Sequence, residues 1–169
     1  MRPDDLVVTA QGCRFRGRHL PCAIGRGGIT RDKREGDGAT PAGTHGLCGV
    51  MYRADRVARE ALPPWAHPIG PRDLWADDPA DPAYNRPVRA PFAASAERLA
   101  RADPLYDIVV PTDWNCGDPK PGRGSAIFLH VWRGPRIPTA GCVAFRRDHL
   151  LWIVARLTPQ TRLVVRTPG

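Results

Sequence analysis

Eight prolines fall within the thirty residues from Leu62 to Pro91, in a chain of 169 residues that holds 19 Pro and 17 Gly. Each proline fixes its own φ and removes a backbone donor, so no long helix or unbroken ladder survives such a density. The segment 62–91 is therefore expected to be a long ordered loop or lid inserted in the domain. Outside it, β-branched residues come in short runs bounded by Gly or Pro, the signature of short strands. These runs are Asp5–Thr9, His19–Ile24, Gly43–Tyr52, Tyr106–Val110, Ala126–Trp132, Cys142–Phe145 and Arg162–Arg166. Two segments look helical. Ala93–Ala102 is rich in good helix formers, and Arg147–Leu157 carries apolar residues at helical spacing, with Asp148 near its start and Pro159 beyond its end. The reading is one mostly-β domain over 1–169 with one or two short helices.

The charge balance invites a nucleic-acid reading and then weakens it. The formal charge is +8, and 23 of the 25 basic residues are Arg. They are spread along the chain, with no basic tail, no helix-turn-helix signature and no run longer than two. Only Arg14, Arg16 and Arg18 form a short alternating stripe, which suits an anionic polymer such as cell wall as well as it suits nucleic acid. No nucleic-acid partner is expected. The longest apolar runs are far too short to span a bilayer. The N-terminal residues lack a charged region followed by an apolar one and a small-residue cleavage site, which fits a cytoplasmic protein, a removed leader or another export route.

Five cysteines, Cys13, Cys22, Cys48, Cys116 and Cys142, cannot all pair with one another. Metal spacing is absent: there is no CxxC or HxxxH pair, and Cys13, His19 and Cys22 make a weak trio, so no metal or cofactor is expected. The Gly-rich stretches at 25–28 and 122–124 lack the context of a phosphate loop and read as turns.

Residues 126–145, AIFLHVWRGPRIPTAGCVAF, carry more. His130 lies inside an apolar strand pattern, where an imidazole is costly without a hydrogen-bond partner. Cys142 follows Thr139-Ala140-Gly141 and opens the next apolar run. Two adjacent strands would bring the thiol to the imidazole, which is expected to lower the thiol pKa and stabilise a thiolate. Gly141 permits a tight turn that aims the Gly141 and Cys142 amides at a developing oxyanion. The same residues also fit a buried core thiol beside a hydrogen-bonded core histidine, and taken alone they leave both readings open.

The segment resembles the active-site signature of the YkuD-type L,D-transpeptidases, in which a His is followed by Ser or Thr, a variable residue, Gly and the nucleophilic Cys. Three other stretches resemble the family in order: KREGDGATPAGTHGL at 33–47, LWADDPADPAYNRPV at 74–88 and GRGSAIFLHV at 122–131. The departures are Ala140, where many members carry His before the Gly, Ala144, where Arg or Asn is frequent, and a shorter His-to-Cys spacing. The resemblance implies a YkuD-like β-sandwich or barrel. It also implies a cysteine acyltransferase acting on peptidoglycan stem peptides at the periplasmic or cell-wall side, open to acylation by carbapenems and needing no cofactor.

In that frame Cys142 is the nucleophile and His130 the proton carrier, with Gly141 and Thr139 supporting the oxyanion. Tyr84 and Asn85 are expected to line the cleft from the Pro-rich lid, and Trp132 to help bind substrate. The competing role for these three is packing and anchoring. Asp37 and Thr40 are expected to close a turn. Asp77 and Asp78 are candidates to attract a free amine of the stem. Hydrolysis of the same thioester, and a non-enzymatic basic domain, are the rival functions.

Overall fold

A computed structural model describes residues 2–167. It is mostly β, as the short apolar runs require. One five-stranded sheet runs in the order Arg18–Leu20, Gly12–Phe15, Leu6–Thr9, Arg162–Val165, Gly43–Gly46. One six-stranded sheet runs Cys22–Ala23, Val143–Phe145, Phe128–Val131, Ile108–Pro111, Met51–Tyr52, His67–Pro68. Leu6, Val8, Phe15, Leu163 and Val165 of the first sheet share one core with Val110, Leu129, Val131, Val143 and Phe145 of the second. The α-helix Arg147–Val154 adds Leu150, Ile153 and Val154 to that core. This is a sandwich, and burial of the two facing apolar surfaces is its main source of stability.

The central strands of the six-stranded sheet, Ile108–Pro111, Phe128–Val131 and Val143–Phe145, are buried on both faces. Side chains alternate along a strand, so Leu129 and Val131 enter the main core while Phe128 and His130 point the other way. That second face is covered by a smaller apolar cluster of Ile69, Trp75, Leu99, Tyr106, Val109, Ala126 and Phe128. Trp75 meets Phe128 edge-on, with ring centroids 5.0 Å apart. Double burial explains why the strand carrying His130 reads as a continuous apolar run.

Four expectations are corrected here. The Pro-rich stretch does hold ladders: Asp73–Ala76 pairs antiparallel with Pro87–Arg89 and with Ala96–Arg98, making a three-stranded sheet. Pro87 begins a strand at the edge of that sheet, where its missing donor is tolerated. Ala93–Ala102 is not a helix. Its helix-forming residues yield to burial of Leu99, which is fully inaccessible, and to pairing of Glu97 with Trp75. The strand expected over His19–Ile24 is broken at Pro21, and the one expected over Gly43–Tyr52 is two separate strands, each in a different sheet.

Candidate active site

The histidine strand Phe128–Val131 and the strand Val143–Phe145 lie side by side and parallel, with His130 opposite Ala144. Residue 142 precedes the second strand and so falls beside Phe128, whose amide donates to Cys142 Sγ at 3.3 Å. Cys142 Sγ donates in turn to the Ala126 carbonyl at 3.1 Å. Parallel neighbours need a crossover connection. Here it is the turn-rich loop 132–142 rather than a helix, and the loop returns the chain so that Cys142 stands beside Phe128, two residues before His130.

That loop is pinned from behind. Thr139 donates its amide to Ile24 and accepts from the Arg26 amide, both at 2.9 Å. Its hydroxyl donates to the Cys142 carbonyl at 2.6 Å and accepts the Gly141 amide at 3.1 Å. Gly141 sits at φ +141°, and a Cβ there would lie 2.9 Å from the Ala39 carbonyl oxygen. Only glycine fits that approach without strain. Ala39 belongs to the turn closed by Asp37, which accepts from the Arg34 and Ala39 amides, while the Thr40 hydroxyl accepts from the Gly25 amide and ties the turn to a distant segment. Asp37 thus closes the expected turn and Thr40 does not, and the turn is the rear wall of the loop that ends at Cys142.

His130 is buried, at 7% exposure, and its Nδ1 lies 2.7 Å from the Val131 carbonyl. A carbonyl only accepts, so the neutral ring carries its proton on Nδ1 and leaves Nε2 as a base. Burial pulls the imidazole pKa down to about 4, with the Val131 hydrogen bond opposing. Burial likewise pushes the Cys142 thiol up to about 12, and the charge of Glu97 adds to it. The expected thiolate is therefore not present at rest. The two groups stand as neutral thiol and neutral imidazole, because desolvation penalises charge on either one.

Both groups line one cavity of about 360 Å³. Its polar lining includes Glu35, Asp77 and Glu97 together with Arg101 and Arg133, so it presents both signs of charge beside the thiol. Tyr106 packs edge-on against the His130 ring at 5.4 Å and donates to Glu97 at 2.5 Å, while the Arg101 guanidinium lies over the Tyr106 face at 5.1 Å. Burial holds the Glu97 carboxyl above its ordinary pKa, partly offset by the Tyr106 hydroxyl. Glu97, Tyr106, Arg101 and Arg133 carry no motif of their own, while Glu35 lies inside the stretch 33–47 without being singled out there. Glu97 was hidden inside the apparent helix, and only strand alternation around Leu99 would have exposed it.

The other expected site residues are distributed differently. Thr139 and Cys142 reach the cavity; Gly141 stands behind it with its amide already given to Thr139, which leaves Cys142 N–H of the expected oxyanion pair. Tyr84 and Asn85 are buried and do not line the cavity. Tyr84 donates its hydroxyl to Glu35, and Ser125 donates to the same carboxylate oxygen at 2.9 Å. Asn85 accepts from Trp75 Nε1 and from the Ala126 amide, both at 3.0 Å, and donates to the carbonyls of Trp114 and Asn115 at 2.9 Å. Both residues thus anchor and orient the wall rather than form it. Trp132 is half-buried and lies outside the lining; Asp77 lines the cavity, and Asp78 instead accepts from the Ala80 amide. All five cysteines are free thiols. Cys13 is buried, while His19 is exposed and pairs with Arg14 on the opposite face of its sheet, so the Cys13–His19–Cys22 trio does not assemble.

A family model described as YkuD, L,D-transpeptidase catalytic domain, matches residues 6–165 of the chain. Searches of curated proteins and of solved structures found no match. Among the described residues no helix is long and apolar enough to cross a membrane.

Proposed function

Because the chain belongs to the YkuD family of L,D-transpeptidase catalytic domains, whose members act on peptidoglycan stem peptides, we propose that it is a cysteine acyltransferase with Cys142 as nucleophile and His130 as proton carrier. The observation that carries this reading is the single cavity into which both the thiol and the imidazole open, at the join of two parallel strands.

The resting neutral pair sets the order of events. Substrate binding brings the carbonyl on the L-centre of meso-diaminopimelate to Cys142 Sγ. As the C–S bond forms, the thiol proton passes to His130 Nε2, so charge develops only when the substrate is there to receive it. The Cys142 amide stabilises the oxyanion. The tetrahedral intermediate collapses with cleavage of the C–N bond, and the imidazolium gives its proton to the leaving amine, releasing a D-amino acid. The amine of a second stem then attacks the thioester and gives a proton to His130. Cleavage of the C–S bond returns that proton to Sγ. The product is a cross-link of the 3-3 or 1-3 type, and the reaction belongs on the periplasmic, wall side of the cell. Carbapenems would acylate the same sulfur.

Incubation with purified disaccharide tetrapeptides, followed by mass spectrometry of the products, tests the reading and its nearest rival. Dimers absent with Cys142→Ala are expected; only shortened monomers would make the protein an L,D-carboxypeptidase, and unchanged substrate would remove the enzymatic reading.

A further inference from the structure

Two thiols outside the catalytic cavity stand against each other at the surface. Cys48 and Cys116 are both exposed and free, and their side chains are joined by a hydrogen bond. The backbone brings them together from either side of the Pro-rich segment. Leu47 pairs antiparallel with Thr112. Flanking that pair, the Cys48 amide donates to the Pro111 carbonyl at 2.8 Å and the Asp113 amide to the Gly46 carbonyl at 3.0 Å. The chain then turns, with the Cys116 amide donating to the Asp113 carbonyl at 3.1 Å. The turn brings the Cys116 sulfur back to 3.5 Å from the Thr112 carbonyl oxygen, beside the rung that carries Cys48.

The two members of the pair are unequal. The hydrogen bond from Cys116 holds the Cys48 thiol below its ordinary pKa, against the opposing effect of burial, while the same bond and burial push Cys116 up. Thiolate character on an exposed sulfur marks the attacking member of such a pair. Cys13 and Cys22 are the contrast. Both are buried, and burial pushes both thiols up, Cys22 to about 12.

We propose that Cys48 and Cys116 form a disulfide by exchange with a small-molecule disulfide, and that the bond braces the loop 112–117. The Cys48 thiolate attacks one sulfur of the oxidant, forming a mixed disulfide and releasing one small thiolate. Cys116 gives its proton to that thiolate and attacks the Cys48 sulfur. The bond from Cys48 to the small molecule breaks, and the second small thiolate leaves and takes a proton from solvent. Two electrons pass from the cysteines to the oxidant, and one S–S bond replaces another. The link encloses the three-stranded sheet and the Pro-rich segment, and cross-linking so long a stretch strongly restricts the unfolded chain. The braced loop carries the Trp114 and Asn115 carbonyls that accept from Asn85, whose Nδ2 stands 3.9 Å from the Cys116 sulfur. The exchange uses neither Cys142 nor His130, so it stands or falls independently of acyl transfer.

Equilibration of the full chain in buffers of reduced and oxidised glutathione, followed by trapping of free thiols with N-ethylmaleimide and mass spectrometry, reads the pair directly. Wild type is expected to lose two alkylation sites together and to yield one cross-linked species joining the peptides of Cys48 and Cys116. Cys142→Ala should yield the same species. Cys116→Ser should stop at glutathione on Cys48, and Cys48→Ser should leave Cys116 largely unmodified. Oxidised wild type should melt at least about 5 °C above reduced wild type, whereas Cys48→Ser/Cys116→Ser should melt alike in both buffers. The wild-type comparison needs no variant, so a variant that fails to fold leaves the test intact. Stable glutathione adducts on wild-type Cys48 or Cys116 in place of the cross-link would overturn the pair. So would a cross-link from either to another cysteine, or five alkylated thiols in the most oxidising buffer. Equal melting of the two wild-type forms would overturn the bracing of the loop.

Discussion

At the scale of single residues, the site is organised by burial. His130 must be neutral because little water reaches its ring, and Val131 takes its one ring proton. That neutrality has a stability signature with a definite sign. The folded pKa is lowered to about 4 from an ordinary 6.5, so between those values the unfolded chain binds a proton that the folded chain refuses. Stability therefore falls as pH drops from about 6.5 to 4, with an upper bound on the order of 3 kcal/mol for this one group. Urea midpoints of wild type and His130→Gln, compared at pH 7 and pH 4.5, isolate the effect, because the other titrating groups are common to both. Wild type should lose more stability over that interval than the variant; equal losses would mean that the ring is protonated in the folded protein. Thr139 supplies the other residue-scale constraint. Its hydroxyl ties the Gly141 amide to the Cys142 carbonyl, so Thr139→Ala should lower kcat for muropeptides by about tenfold or more, as a 1 Å misplacement of the nucleophile does. Thr139→Ser should restore most of it, and an unchanged Thr139→Ala rate would remove the positioning role.

At the scale of elements, the loop 132–142 and the Pro-rich stretch do the positioning. Much of the Cys142 side of the cavity was legible in the sequence, because Thr139, Gly141 and Cys142 lie within four residues and the flanking apolar runs are strands. The histidine strand was legible for the same reason. What sequence reasoning missed was the second face of the six-stranded sheet. Its cover comes from Trp75, Leu99 and Tyr106, which are dispersed in segments that read as loop, helix and the start of a strand. Local propensity favoured a helix around Glu97, and only the distant strand at Asp73–Ala76 decides otherwise. Asn85 looked like a lining residue and is a clamp, with its amide satisfying Trp75, Ala126, Trp114 and Asn115 at once. Asn85→Ala would leave the buried Trp75 indole N–H and Ala126 amide without their acceptor, costing on the order of 2–5 kcal/mol. A thermal melt should show a large drop for Asn85→Ala and a smaller one for Asn85→Asp, which keeps the acceptor. An unchanged melt for both would show that the clamp holds nothing.

At the scale of the whole molecule, the five-stranded and six-stranded sheets and the helix Arg147–Val154 share one core, and the cavity holding Cys142 and His130 opens beside the loop 132–142. The charge of +8 stays largely dispersed in the fold, with Arg14, Arg136 and Arg166 lining one surface groove. The three-arginine stripe at 14, 16 and 18 does not survive as a unit: Arg14 lines the groove, Arg16 pairs with Asp4 at 2.9 Å, and Arg18 stacks over Trp152 at 4.6 Å. The central claim is chemical, that the sulfur of Cys142 carries the acyl group. Intact-protein and peptide mass spectrometry after brief mixing with a stem tetrapeptide tests it most directly. The account predicts one covalent acyl adduct, on the peptide containing Cys142, that vanishes in Cys142→Ala and decays when an acceptor amine is added. Turnover by Cys142→Ala, or an adduct on any of the other four thiols, would contradict it.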